Sequence, residues 1–229
     1  MVIGSCRSQK LPSLVLEHTI KYHRPDVRVI HTYDLGFPSP KKPELRSKTG
    51  FSFNRFAIPS LVGYFGVAAY LECDQIVFRD INELFAIPFE GATVLRTKTQ
   101  TSVLLLDCNR LRWDVGEIVE GLDAGLYSYK ELMDDIAIVP KGQISPSIPQ
   151  EWNSLEEFIP GKTALLHYTK MDLQPWRKWW AHPLKKYWMM ALQSAMLTGV
   201  ISLATIESEV ERGHIVPEIL KEASVWDSP

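Results

Sequence analysis

The sequence predicts an α/β fold with a mostly parallel central sheet and a C-terminal helical cap. Short apolar runs of strand length alternate with longer amphipathic stretches over most of the chain, and the C-terminal part shows helical periodicity alone. A chain of 229 residues, 45% of them hydrophobic, is long enough to bury one substantial core. We therefore expect a single domain over residues 1–229, with the sheet core at 1–175 and the cap at 176–229.

Six apolar runs have the length and composition of buried strands. An amphipathic helix opened by Pro12 lies between the first two runs, and this strand, helix, strand order is typical of parallel pairing. The predicted strands cover residues 2–3, 27–30, 67–71, 102–106, 136–139 and 164–166. The helix places the following side chains on one face: Leu11, Leu14, Val15, His18 and Tyr22.

Two further amphipathic patterns near the C-terminus predict the helices of the cap. Apolar side chains from Leu184 to Ala195 recur every three or four residues, and Gly199 supplies a stop signal. A second apolar stripe begins at Leu203, and Gly213 ends it. We interpret these helices as a cap on the sheet, not as a separate domain.

Composition and charge exclude several classes of function. The 25 basic and 27 acidic residues give a formal net charge of −2, so the whole molecule carries no field that would attract nucleic acid. Cys6, Cys73 and Cys108 lie too far apart in sequence for a zinc or redox motif, and we expect reduced thiols. No apolar run reaches the roughly 20 residues of a membrane-spanning helix, and no signal peptide is visible. We therefore expect a cytoplasmic protein.

Charged side chains follow two of the predicted strands. Glu72 and Asp74 come after the run at 67–71, and His167 directly follows the run at 164–166. Because ligands of open α/β sheets bind at the carboxyl ends of strands, these side chains are candidates for one site. Two carboxylates and one imidazole suit Mn²⁺ or Mg²⁺. Taken singly, a strand-end histidine is more often a hydrogen-bonded core residue, and an acidic turn is more often a solvated corner.

Several short segments carry a stronger signal than any single residue. They are Phe-Asn-Arg-Phe-Ala-Ile-Pro at 53–59, Ala-Tyr-Leu-Glu-Cys-Asp at 69–74, Asp-Ile-Asn-Glu-Leu at 80–84, Trp-Asn at 152–153, His-Tyr-Thr at 167–169 and Gln-Pro-Trp at 174–176. In their residues and in their order along the chain, these segments resemble the family eight glycosyltransferases, which include glycogenin and bacterial galactosyltransferases. The resemblance extends from the first strand to about Trp176.

The resemblance implies a nucleotide-sugar-binding fold of the GT-A type and sugar transfer with retention of anomeric configuration. It implies a nucleotide-sugar donor, in particular a UDP-sugar, an acceptor hydroxyl on a saccharide or another molecule, and a Mn²⁺ or Mg²⁺ ion. The implied metal ligands are Glu72, Asp74 and His167. Donor binding is implied for Ser5, Arg55, Glu72, Asp74, Lys170 and Gln174, and catalysis for Arg55, Asp134 and Asp135.

Three positions depart from the family pattern. Glu72 stands where the family has the first Asp of its Asp-any-Asp motif, and Gln174 stands where a lysine grips the donor diphosphate. Asp134 stands where the family often has an amide on the reacting face of the sugar. Two outcomes stay open for the diphosphate: Lys170 supplies the missing positive charge, or the diphosphate is held more weakly. Asp134 could act as a nucleophile or stabilise an oxocarbenium-like cation, and we favour stabilisation.

Two other functions remain open on these residues. A catalytically lapsed relative would keep the nucleotide-sugar shape for binding or scaffolding, with Glu72 and Gln174 as marks of the lost activity. A metal-dependent nucleotidyltransferase normally brings an early Gly-rich, basic phosphate loop, and residues 4–10 are a poor version of one, so this function ranks third. Asp134 and Asp135 are equally well explained as acids of a helix terminus or a solvated turn.

A basic and aromatic cluster precedes and opens the predicted cap. It could lie on an anionic membrane or shape an acceptor cleft, but packing of its tryptophans between the cap and the sheet is the favoured interpretation. The cluster comprises Trp176, Arg177, Lys178, Trp179, Trp180, Lys185, Lys186 and Trp188.

Overall fold

A computed structural model describes residues 1–47, 49–178 and 182–226. The strands are β1 Val2–Gly4, β2 Ile30–His31, β3 Val67–Glu72, β4 Gln75–Val77, β5 Val94–Thr97, β6 Val103–Asp107, β7 Ile144–Ile148, β8 Ser154–Leu155 and β9 Leu165–His167. The helices are α1 Lys10–His23, α2 Ile58–Leu61, α3 Ile81–Phe85, α4 Val115–Asp123, α5 Tyr129–Asp135, α6 Lys185–Leu197, α7 Leu203–Glu211 and α8 Pro217–Trp226. The α/β fold class predicted from the sequence is confirmed.

The chain divides into two compact units, each with its own sheet. The first unit comprises Met1–Cys6, Arg28–Glu72 and Glu83–Gln150. The second comprises Arg7–Val27, Cys73–Asn82 and the chain from Glu151 on. The single domain with a sheet core ending at residue 175 stays a prediction.

The first unit is built on a six-stranded sheet in the order β2-β1-β3-β6-β5-β7. Three of its five strand pairs are parallel, and β6 runs antiparallel to both of its neighbours. The five-residue connection at 98–102 joins β5 directly to β6, and so short a connection permits only an antiparallel hairpin. Within this sheet, the parallel pairs are therefore those of the β2-β1-β3 group and the β5-β7 pair.

Two of the six predicted strands differ from the observed elements. The run at 136–139 is not a strand, because Ile136 takes up the left-handed conformation that ends α5, with φ 51°. Ile136 and Val139 are nevertheless buried in the core of the first unit, so their apolar character reflects packing in a turn. The run at 27–30 contributes only its last residue to β2.

The second unit has a three-stranded sheet in the order β4-β9-β8, with α1 and α6 packed together in one apolar core. Pro12 lies in the first turn of α1, where a missing N–H costs no helical hydrogen bond. Tyr22 was expected on the buried face of this helix but is 74% exposed, because the apolar stripe ends one turn earlier. His18 is buried, and its Nε2 lies 2.9 Å from Ser194 Oγ on α6.

The C-terminal helices follow the sequence pattern closely. Helices α6 and α7 are followed by Gly199 and Gly213, both with positive φ, as expected for helix stop signals. Trp176 and Trp188 are buried, with ring centroids 5.3 Å apart, so packing explains both. Trp179 and Trp180 of the basic and aromatic cluster lie outside the described residues. Within residues 1–47, 49–178 and 182–226, no helix combines the length and apolar character needed to cross a bilayer.

Gly4 is required by close packing at the end of β1. A Cβ at this position would lie 2.7 Å from Tyr70 Cε2, so we expect Gly4→Ala to lower the free energy of unfolding by about 1–3 kcal/mol through overpacking. Gly142→Ala is the matched control, since a Cβ there meets nothing within 4 Å. Urea unfolding of both variants checks this, and equal stability of the two would contradict the packing argument.

Candidate metal centre

The first unit presents a buried arginine at the end of β3. Arg55 lies in the 3₁₀ segment Ser52–Ala57 and is 5% exposed. Its Nη2 donates to Glu72 Oε1 at 2.7 Å, its Nε donates to Ser52 O at 3.0 Å, and its guanidinium stacks over the Tyr70 ring. Nη1 donates to both the carbonyl (2.9 Å) and the hydroxyl (2.6 Å) of Thr101. This guanidinium is held by protein groups on several sides.

The electrostatics of this pair follow from its surroundings. Burial acts to lower the pKa of Arg55, but the nearby Tyr70 and Glu72 groups outweigh burial, and the pKa is raised above its usual value. Arg55 therefore stays charged and neutralises Glu72. One carboxylate oxygen of Glu72 is occupied by this ion pair, so any metal ligation by Glu72 depends mainly on its other oxygen.

Thr101 extends this network towards α5. Its hydroxyl donates to Met133 O at 2.7 Å, which fixes the turn of helix next to the two candidate catalytic acids. Asp134 is exposed and accepts from Lys130 Nζ at 2.8 Å, an ordinary surface pair one helical turn apart. Asp135 is also exposed and lines a surface cavity of about 430 Å³, which it shares with Arg96 and Lys141. The catalytic roles of both acids stay predictions.

Ser5 follows β1 and is buried. Its backbone N–H donates to Thr32 Oγ1 at 2.9 Å, and that hydroxyl donates back to Ser5 O at 3.1 Å. Asn54 Nδ2 donates to the same Thr32 oxygen at 2.8 Å. The loop after β1 is thereby fixed to its neighbours, and the contact of Ser5 with a donor stays a prediction.

The second unit brings together two of the three predicted metal ligands. Asp74 lies in the turn before β4, and β4 pairs with β9 so that Gln75 lies opposite His167. This register places His167 Nε2 3.2 Å from Asp74 Oδ1. Both side chains are buried, Asp74 at 8% and His167 at 3% exposure, and each offers an atom able to bind a metal.

The protonation of His167 follows from its second ring nitrogen. Nδ1 lies 2.8 Å from the carboxamide oxygen of Asn153. An amide oxygen only accepts hydrogen bonds, so Nδ1 carries the proton, and in the neutral ring Nε2 then presents a lone pair to Asp74. This is the usual arrangement of a metal-binding histidine whose other nitrogen is held by a polar neighbour.

The carboxylate of Asp74 also lacks a donor on the side of His167. Oδ1 is buried and accepts no hydrogen bond from the described part of the chain. Two acceptor atoms 3.2 Å apart repel one another unless a positive species lies between them. Two ligand bonds of about 2.1 Å at a right angle would separate their atoms by about 3 Å. The residues present therefore fit a divalent cation.

Gln174 and Lys170, the two positions expected to bind the diphosphate, occupy different environments. Gln174 is 0% exposed, and its Nε2 donates to Asp74 Oδ2 at 3.0 Å and to Tyr168 O at 3.0 Å. Lys170 is exposed, while its backbone N–H donates to Glu156 at 2.7 Å. Of the two, only Lys170 offers its side chain to solvent.

Glu156 organises the segment that follows β9. Its Oε1 accepts from the backbone N–H of Lys170 at 2.7 Å and from Thr169 Oγ1 at 3.1 Å. Its Oε2 accepts from His182 Nε2, whose other nitrogen accepts from Leu184 N at 3.0 Å. Glu156 itself has φ 53°, a conformation that a non-glycine residue adopts only when its surroundings enforce it. The carboxylate therefore fixes both ends of this segment.

The charge of Glu156 contributes to stability in a defined pH range. Burial acts to raise the pKa of Glu156, but hydrogen bonds from the Lys170 N–H and from His182 outweigh burial, and the pKa is lowered. A carboxylate with a lowered pKa stabilises the fold above the pKa of an unfolded glutamate. This stabilisation is lost as the pH falls through the lower, folded value.

Several functional neighbours could not be identified from the sequence. Asn153 belongs to the Trp-Asn segment that resembles the family, and that segment is the signal that could have revealed it. Glu156 carries no comparable signal, because its importance arises from an unusual backbone conformation. Thr101 likewise acts through contacts between residues distant in the chain.

We expect Glu156→Gln to destabilise the protein at neutral pH, because the neutral amide accepts hydrogen bonds less strongly. The difference from the wild type should shrink as the pH falls below the usual glutamate range. Urea unfolding across this range measures it, and hydrogen exchange should show a less protected Lys170 amide. Glu157→Gln is the matched control, since Glu157 is exposed. A deficit that is independent of pH would contradict this account.

Comparison with known proteins supports the fold. No protein-family model and no curated protein sequence matches the chain. Among solved structures, galactosyltransferase LgtC in complex with donor and acceptor sugar analogs matches with a TM-score of 0.61 and 12% identity, over 87% of this chain and 99% of LgtC. Glycosyltransferase GlyE of Streptococcus pneumoniae TIGR4 matches with a TM-score of 0.60 and 16% identity, over 87% of this chain and 63% of that one.

A third similar structure is the bifunctional glycosyltransferase WbbM in its apo form. It matches with a TM-score of 0.58 and 14% identity, over 83% of this chain and 49% of WbbM. The chain thus spans nearly all of LgtC and about half of WbbM. Identities this low show the fold alone. The protein has the GT-A fold of glycosyltransferases, as its resemblance to family eight predicted.

Proposed function

We propose that this protein is a metal-dependent glycosyltransferase. It transfers a sugar from a nucleotide-sugar donor, a UDP-sugar, to a hydroxyl group of a saccharide or other acceptor, with retention of configuration. The observation that carries the proposal is the buried pair Asp74 and His167, whose Oδ1 and Nε2 lie 3.2 Å apart at strand ends, with no hydrogen bond to Oδ1 from the described part of the chain. In a chain with the fold of LgtC and GlyE, a cation-binding pair at this place favours sugar transfer.

Glu72, Asp74 and His167 are the proposed ligands of a Mn²⁺ or Mg²⁺ ion. Such an ion supplies positive charge to the leaving diphosphate. Asp74 and His167 contribute one oxygen and one nitrogen held ready by their neighbours. Glu72 contributes one carboxylate oxygen, and its Oε1 also accepts a hydrogen bond from Arg55.

Lys170 is the proposed contact for the diphosphate. Its side chain is exposed, and its backbone is fixed by Glu156, so the ammonium group extends from an ordered segment. Ser5 is the proposed contact for the nucleoside, as the resemblance to family eight implies. Gln174 occupies the position of the family's lysine, but its buried amide donates its hydrogen bonds within the protein.

Asp134 and Asp135 are the proposed catalytic acids. A carboxylate near the anomeric carbon stabilises the positive charge that develops there. Asp134 must give up its exposed pair with Lys130 for this role, and such a solvent-exposed pair contributes little stability. Arg55 assists indirectly, because it holds Glu72 and, through Thr101, the end of α5.

The test combines donor turnover with metal and nucleotide binding. We expect slow Mn²⁺-dependent hydrolysis of a UDP-sugar without acceptor, and a rise in melting temperature with UDP only when Mn²⁺ is present. Asp74→Asn should abolish both effects, because the amide cannot supply the anionic ligand. Asp26→Asn, at an exposed acid, is the control and should match the wild type.

The outcomes separate the competing functions. Mn²⁺-dependent UDP binding without turnover of any common nucleotide sugar would identify a lapsed relative that binds the donor. Unchanged Mn²⁺-dependent UDP affinity in Asp74→Asn would reject the metal site itself.

Lys170→Met tests the proposed diphosphate contact. We expect UDP affinity in saturating Mn²⁺ to fall about tenfold, the loss of one charge-assisted contact of roughly 1.5 kcal/mol, with Mn²⁺ affinity unchanged. Lys162→Met, at an exposed lysine on the loop before β9, is the charge-matched control. Isothermal titration measures both affinities, and equal UDP affinity in the two variants would exclude Lys170.

A further inference from the structure

Gln174 is locked into the second unit more tightly than a ligand-binding side chain would be. Both N–H groups of its amide are directed to protein oxygens, Asp74 Oδ2 and Tyr168 O, each at 3.0 Å. Its backbone carbonyl accepts from Arg177 N at 2.8 Å and from Lys178 N at 3.0 Å. The side chain is 0% exposed. Its carbonyl oxygen Oε1 is also buried, with no hydrogen-bond partner among the described residues, so the side chain presents no group at the surface to a diphosphate.

The contact with Asp74 decides which carboxylate oxygen is available. The backbone of Asp74 is already fixed, because Tyr168 N donates to Asp74 O at 2.9 Å. The remaining freedom is rotation of the carboxylate, and the bond from Gln174 to Oδ2 removes it. Oδ1 is then left beside His167 Nε2 with no hydrogen bond from any residue that the structure describes.

The choice of a neutral amide at this position has an electrostatic consequence. A lysine ammonium in the same place would pair with Asp74 and would repel a divalent ion close by. An amide also donates a hydrogen bond to Asp74, but it adds no positive charge. On the other side of the pair, the neutral carboxamide of Asn153 likewise holds His167, by accepting a hydrogen bond from Nδ1.

We propose that Gln174 is a positioning residue for the metal ligand Asp74, and that it makes no contact with the donor diphosphate. This proposal rests on the proposed metal-dependent function. Gln174 holds Oδ2 so that Oδ1 and His167 Nε2 form a ready pair of ligands. The amide of Gln174 and the amide of Asn153 are thus a matched set, one for each ligand.

The experiment uses the full chain with Mn²⁺ alone, followed by UDP in saturating Mn²⁺. Gln174→Met removes both donors at similar volume, and we expect Mn²⁺ affinity to fall about ten- to a hundredfold, the usual range for neighbours of metal ligands. Gln174→Asn keeps the amide but is one methylene short, and should fall in the same direction. Urea unfolding in chelator verifies the fold of each variant and measures any loss that is purely structural.

Gln174→Lys separates this proposal from the role implied by the family pattern. If Gln174 positions Asp74, the lysine variant binds Mn²⁺ at least tenfold more weakly and binds UDP no more tightly. Gln193→Lys, on α6, adds the same charge away from Asp74 as the control. Tighter UDP binding with unchanged Mn²⁺ affinity in Gln174→Lys would overturn the proposal, as would wild-type Mn²⁺ affinity in Gln174→Met. A wild-type protein that binds no Mn²⁺ would instead overturn the proposed function, and this proposal with it.

Discussion

The register of β4 against β9 places two buried potential ligand atoms, Asp74 Oδ1 and His167 Nε2, 3.2 Å apart, and the candidate site depends on this placement. With a neutral imidazole, Asp74 Oδ1 and His167 Nε2 carry like partial charges and repel one another. Strand pairing brings the two residues together, Asn153 fixes the imidazole and Gln174 fixes the carboxylate. A cation bound between the two atoms would be stabilised by ligands that are already in place, which is the physical meaning of a preorganised site.

In the first unit, by contrast, the buried positive charge of Arg55 is paired within the protein. Arg55 reaches Glu72, Ser52 and Thr101, and the hydroxyl of Thr101 continues to Met133. A buried ion pair adds little net stability by itself, but removing one partner leaves an uncompensated charge. Arg55 therefore acts as a brace that connects β3 with the end of α5. The donor-binding and catalytic roles that the resemblance to family eight implies for Arg55 stay predictions.

Sequence reasoning succeeded where one physical signal dominated. The period of 3.6 residues located α6 and α7, and the rule that ligands gather at strand ends brought Asp74 and His167 together. It missed β4 and β8, which have three and two residues and are too short to show a period. It also missed longer elements, such as β7 and α8. The run at 136–139 has the composition of a strand, but α5 ends there in a left-handed residue, and apolar content cannot distinguish a buried turn from a buried strand.

The candidate site shows the same limit at the level of single residues. The register of Gln174 with a lysine of the family was readable, but whether its amide faces solvent or Asp74 depends on the fold. Glu156 is the more extreme case, because its positive φ and its bonds to Lys170 and His182 leave no trace in spacing or composition. The role of a residue that acts by positioning other residues is therefore the hardest to predict from the sequence.

The exchange of a lysine for Gln174 also redistributes charge in a way that favours dependence on metal. With a neutral amide next to Asp74, the full negative charge of the carboxylate remains available to a cation. In the proposed function, the positive charge offered to a diphosphate comes from Lys170, which is exposed and whose attraction is weakened by water and salt. A diphosphate held by a screened ammonium gains less binding energy from the protein, so the ion must supply more of it. In this chain, donor affinity and metal affinity should consequently be coupled more strongly than in a site where a buried lysine also binds the diphosphate.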